Sequence, residues 1–93
     1  MTEASQMDKR DRFAANLRRA RKAAGVSQEE LAGRCELHRT EVSLLERGGR
    51  EPRLGTLIKL ATALDTTAEA LVTGIGWDPK AREYKIDEPG EGA

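Results

Sequence analysis

Arg39, Thr40, Ser43, Leu44 and Arg47 are the residues of this 93-residue chain whose types and spacing best suit chemistry. On a helical wheel Thr40, Ser43, Leu44 and Arg47 lie opposite Val42 and Leu45, so one face is apolar and the other carries hydrogen-bonding groups. An Arg guanidinium, as at Arg39, is a planar fork of donors that matches guanine O6 and N7 in the DNA major groove. A Thr hydroxyl bonds base edges or phosphate, and its methyl can meet a thymine methyl. Arg47, Arg50 and Arg53 surround the following loop, GGREPR at 48–53, and have the character of phosphate clamps, which set register without reading sequence.

Other chemistries find little support. The chain shows no Gly-rich phosphate loop, no cluster of metal-ligand spacing and no nucleophile–base pair. Cys35 and His38 lie three apart across a helix junction, which is no evidence of a dyad. No catalytic role, cofactor or metal is therefore expected. Cys35 falls on the inward phase of its helix, favouring an inert core thiol over a redox sensor. A single Cys forms no internal disulfide, in keeping with a reducing, cytoplasmic setting. No run approaches the ~18 apolar residues of a membrane span, and MTEASQMDKRDR lacks an apolar signal region.

The formal net charge is zero, but the charge is unevenly spread. Residues 1–60 hold 13 Lys/Arg and 9 Asp/Glu, and residues 61–93 hold 3 and 7. A basic body with an acidic tail points to a polyanion at one end and leaves the tail for a protein partner. Aromatic residues are few (Phe13, Trp77, Tyr84), so the core must be aliphatic.

The elements that position these side chains follow from periodicity and caps. Residues 1–7 read as a flexible arm and 8–73 as one helical domain. The first helix starts near Asp8, repeats Phe13, Leu17, Ala20 and Ala24, and stops at Gly25. Ser27 with Glu30 makes a capping box for the second, where Leu31, Ala32 and Cys35 point inward. Glu36-Leu37 forms the turn, and a third helix runs from about His38 to Arg47. Leu54, Leu57, Ile58, Leu60, Ala61 and Leu64 define the fourth. Thr67 caps a short fifth that contains Ala68, Leu71 and Val72. In the extension at 74–93, segments 75–77 and 83–86 suit a small β-hairpin, while EPGEGA is linker-like.

The run SQEELA, the inward apolar pair and LLERG, continued by EPRLGTLIKLATALDTTAEALV, resemble the lambda-repressor-like helix-turn-helix family, also called the Cro/cI or Xre type. The resemblance spans roughly residues 10–73. It implies an all-α, compact five-helix bundle in which the second helix crosses the phosphate backbone and the third is the recognition helix. Arg39 and Thr40 match the main base-reading positions, with Ser43 and Leu44 extending that face. Gln28 matches a phosphate-contacting position. Arg21 and Glu46 match a partly buried structural ion pair, and Ala32 the site where the two helices touch most closely. Glu36 departs from the pattern: the family has Gly there, at a positive φ, so the turn should be strained by about 1 kcal/mol.

Some side chains have two readings. Leu44 meets DNA or packs on the second-helix side. Glu41 accepts from cytosine N4 or, the favoured reading, orients Arg39. His38 caps the third helix or touches DNA. Arg18 or Arg19 reaches phosphate, or stays on a solvated face. The expected function is a sequence-specific DNA-binding transcriptional regulator, most simply a repressor. It would act as a homodimer on double-stranded DNA, through the fifth helix and the Trp77–Ile86 segment. A restriction–modification controller and an antitoxin-type autorepressor fall within this class. A protein-interaction adaptor that keeps the fold without binding DNA is the alternative from another class.

Overall fold

The computed structural model describes residues 7–88. The expected arm, apart from Met7, and the tail beyond Glu88 lie outside the described residues. Five helices are followed by one hairpin: α1 (Lys9–Ala24), α2 (Gln28–Cys35), α3 (Arg39–Glu46), α4 (Leu54–Ala63), α5 (Ala68–Leu71), β1 (Ile75–Asp78) and β2 (Glu83–Ile86).

Local signals set the helix ends. The Asp8 carboxylate accepts from the amides of Arg10 and Asp11, while the Asp11 side chain accepts from the Asp8 amide. Those amides, Asp11's above all, hold the Asp8 carboxyl below its ordinary value. Gly25 ends α1 at φ +73°. The Ser27–Glu30 capping box is formed in both directions. Glu36 ends α2 in the left-handed region at φ +56°, with its N–H bonded to the carbonyls of Ala32 and Gly33. The strain expected at this turn is thus located on Glu36 itself. α3 is one residue shorter at each end than its periodicity suggests. His38 is its N-cap, with Nδ1 accepting from the Thr40 amide at 3.2 Å, and Arg47 is its C-cap.

Each helix contributes an apolar stripe to one core. Leu17, Leu31, Val42, Leu45 and Leu60 are wholly buried, and Phe13, Ala32, Cys35 and Leu71 nearly so. Burying one such large side chain stabilises the fold by about 1.5–3 kcal/mol, so these few residues dominate the packing energy. α3 packs against both α1 and α2, and α4 packs against α2 and α5. The recognition-type helix therefore rests on two others.

The hairpin is antiparallel, with Ile75 opposite Ile86 and Trp77 opposite Tyr84. Asp78 Oδ1 accepts from the amides of Lys80 and Ala81 in the turn, and Arg82 closes it at φ +59°. Trp77 and Tyr84 meet edge to face, with centroids 5.0 Å apart. The hairpin is joined to α1 by polar contacts that the periodicity does not announce. Arg12 Nε and Asn16 Nδ2 both donate to the Thr73 carbonyl at 2.9 Å. A Cβ at Gly74 would fall 2.4 Å from Arg12 Nε, and φ there is +89°, so glycine is required on both grounds.

Candidate nucleic-acid interface

The C-terminal end of α3 is fixed by a charged network. Glu46 is 3% exposed, yet each of its carboxylate oxygens is satisfied. Arg21 Nε donates to Oε2 at 2.5 Å and Arg21 Nη2 to Oε1 at 3.1 Å, a bidentate pair. Gln28 Nε2 donates to Oε1 at 3.0 Å, and Arg21 Nη1 to the Val26 carbonyl at 2.9 Å. Arg18 Nη1 donates to the Glu46 main-chain carbonyl, one of the acceptors a helix end leaves unsatisfied. One carboxylate thus joins α1, the start of α2 and the end of α3. The bond to Glu46 also raises the Arg21 pKa.

The N-terminal end of α3 is open. Arg39 and Thr40 are exposed, and Arg39 has no carboxylate within 4.0 Å among the described residues. The Thr40 hydroxyl lies 3.1 Å from His38 Nδ1, held beside its own helix cap. Ser43 and Leu44 are half-buried one turn further on. Leu44 is partly covered, and a Cβ at Gly49 would fall 3.0 Å from its Cδ2, so it lies against the loop after α3.

Arg47 and Arg53 are exposed at either end of that loop. Arg47 Nε reaches the Ser43 carbonyl at 3.3 Å, a long contact that leaves most of its donors free. Arg50 differs, because its Nη1 lies 2.6 Å from Glu41 Oε1. This corrects the favoured reading of Glu41: it pairs with Arg50 and does not orient Arg39. The loop folds back along α3 and brings the guanidinium to the carboxylate, a contact nine residues apart that helix periodicity cannot reveal. Gln28 is likewise committed through its amide nitrogen to Glu46, which its position at the start of α2 did not disclose.

Arg39, Thr40, Ser43, Leu44 and Arg47 therefore share one helix, with Arg53 close by in sequence, while Gln28 and Arg50 reach the same region through internal partners. Arg18 was read as a phosphate or surface residue and is instead bonded to the end of α3. Nothing local marks it, because its acceptor lies 28 residues away. Cys35 is 2% exposed, and burial pushes its thiol pKa up, which suits an inert core group. The large exposed apolar residues are Leu54, Ile58, Trp77 and Tyr84. The four-residue α5 buries its only large residue, Leu71, so the apolar surface lies on α4 and the hairpin.

A helix supported from behind, capped by a polar turn and presenting an Arg-led face is the helix-turn-helix arrangement. A family model described as helix-turn-helix matches residues 17–71, and the chain belongs to that family. Control protein C.SmaI of Serratia marcescens is 43% identical over 70 residues, which span 75% of this chain and 83% of that protein. The crystal structure of the restriction-modification controller protein C.AhdI from Aeromonas hydrophila superposes with a TM-score of 0.65 at 44% identity, over 67% of this chain and 94% of that one. That of the hypothetical transcription factor NHTF from Neisseria gives a TM-score of 0.68 at 37% identity, over 88% and 91%. The last match is longer than residues 8–73, so the likeness continues past the helical bundle.

Proposed function

We propose that this protein is a sequence-specific DNA-binding transcriptional regulator that places the N-terminal half of α3 in the major groove. Arg39 and Thr40 read base edges, Ser43 and Leu44 extend that surface, and Arg47 and Arg53 hold phosphates. Arg50 reaches phosphate by exchanging its Glu41 partner for the backbone. Gln28 meets the backbone at the start of α2, through its main-chain amide or the free oxygen of its side chain. The observation that carries the reading is the contrast along α3: one end is buried in a charged network, and the other presents an exposed Arg with no acceptor among the described residues.

A single bundle makes few base contacts, so two copies acting on a pseudo-palindrome, with half-sites about one helical turn apart, supply the specificity. The exposed Leu54 and Ile58 on α4, together with the hairpin, are the surfaces on which a homodimer would form. Repression by occupancy is the simplest action. Within this class the restriction–modification controller reading is favoured by the likeness to C.SmaI and C.AhdI. Selecting bound fragments from genomic DNA and footprinting them tests the proposal. Two protected half-sites with centres about 10 base pairs apart, or a multiple of that, are expected. Recovery of fragments with no shared sequence would contradict it.

A further inference from the structure

The hairpin carries a surface that the rest of the molecule leaves unused. The Asp87 amide donates to the Gly74 carbonyl at 2.8 Å, which sets the phase of the ladder. Alternation then makes Gly76–Lys85 a hydrogen-bonded pair and Trp77–Tyr84 a non-bonded one. The main-chain groups of Tyr84 and Ile86 consequently point away from β1, toward the outer edge of β2. Among the described residues no further strand pairs with that edge, and a groove of about 360 Å³ adjoins β2, lined by Met7, Glu83, Tyr84, Ile86 and Glu88. α1 touches both strands, and its Lys9 Nζ stands 4.8 Å from the centroid of the Tyr84 ring.

The charges on β2 are also poorly served within the chain. Glu83 stands directly opposite Asp78, a like-charge cross-strand pair, and Lys85 stands opposite Gly76. Neither Glu83 nor Lys85 has an ion-pair partner among the described residues. Trp77 and Tyr84, on the other face, are about half exposed, at 54% and 51%. A two-stranded sheet is marginal by itself, and an open edge invites another strand.

We infer that β2 pairs antiparallel with β2 of a second copy of this chain, with Tyr84 on the twofold axis. In that register the Tyr84 amide and carbonyl exchange bonds with the partner's Tyr84. Glu83 lies opposite the partner's Lys85, and Lys85 opposite the partner's Glu83, so both unpaired charges are matched. Trp77, Tyr84 and their two mates form one aromatic row on a four-stranded sheet. This rests on the homodimer reading above and adds the segment, the register and the pairing rule.

The test is charge reversal, read by sedimentation equilibrium without DNA. E83K alone and K85E alone each place like charges opposite one another, and each should weaken self-association about tenfold. Within the chain E83K removes the clash with Asp78, so a looser hairpin cannot explain its loss. Mixing the two variants should restore association, because the E83K strand is then all positive and the K85E strand all negative. The double variant E83K/K85E should also self-associate like the original protein. Unchanged association of both single variants overturns the strand pairing while leaving a homodimer in place. A protein that is monomeric throughout overturns both. Restored pairing together with absent DNA binding would count against the DNA reading alone.

Discussion

α3 is eight residues long, and its two ends are chemically opposite. At its C-terminal end Glu46 is buried and satisfied by Arg21 and Gln28, with Arg18 on its main-chain carbonyl. At its N-terminal end Arg39 is exposed, with no carboxylate within 4.0 Å among the described residues. The same residue type serves two purposes according to its surroundings. Arg21, only 14% exposed by side chain, ties α1 to Glu46 of α3 and to the Val26 carbonyl, whereas Arg39 keeps its donors for an external acceptor. A helix that must read DNA needs its orientation fixed by contacts that the DNA does not touch. Here those contacts sit at the far end of the same helix.

The strongest way to break this contrast is at the anchored end. Glu46→Ala leaves Arg21 without its buried partner and should destabilise the fold by about 3 kcal/mol or more, measured by denaturant unfolding. A loss below about 1 kcal/mol would mean that the network is ornamental, as exposed pairs often are. Arg39→Ala, at the open end, should leave unfolding unchanged and weaken the preferred DNA site by about 1–3 kcal/mol, relaxing preference at one base position. Equal loss on specific and random DNA would assign Arg39 to phosphate.

Smaller changes sharpen the picture between the ends. Glu36→Gly relieves the left-handed turn that aims α3 and should stabilise the domain by about 1 kcal/mol, raising Tm by about 4–8 °C. No gain would show that the turn is already relaxed by its hydrogen bonds. Glu41→Gln frees Arg50 and should shift stability by no more than about 1 kcal/mol, since the pair is partly exposed. It should tighten non-specific DNA binding with little change in salt slope, because Arg50 then reaches phosphate without giving up an internal partner. Unchanged affinity would leave Arg50 outside the phosphate contacts.

What was legible in the sequence follows the range of each interaction. Gly25, Ser27 with Glu30, and Thr67 act on the backbone within three or four residues, so their roles could be read directly and are found in the structure. The apolar stripes were legible for the same reason, as was the hairpin, whose strands are close in sequence. The Arg21–Glu46 pair spans 25 residues and was visible only through the family resemblance. Gln28 on Glu46, Arg50 on Glu41 and Arg18 on the end of α3 were not visible at all. Periodicity names the face a side chain occupies but not the partner that a folded loop or a neighbouring helix brings to it. Leu54 and Ile58 belong to the amphipathic pattern that defines α4, yet both are exposed. Their exposure arises because α4 is wider in apolar residues than the core beneath it can cover.

On the proposed reading, the open face of α3 meets DNA through charge and reads it through base contacts. Salt titration of binding, run in parallel on a selected genomic site and on random duplex, separates the two. Affinity is expected to fall steeply with salt on both, as released counterions require, with the selected site tighter throughout. Binding that is absent, or unaffected by salt on both, would contradict it and leave the fold as a protein-interaction module.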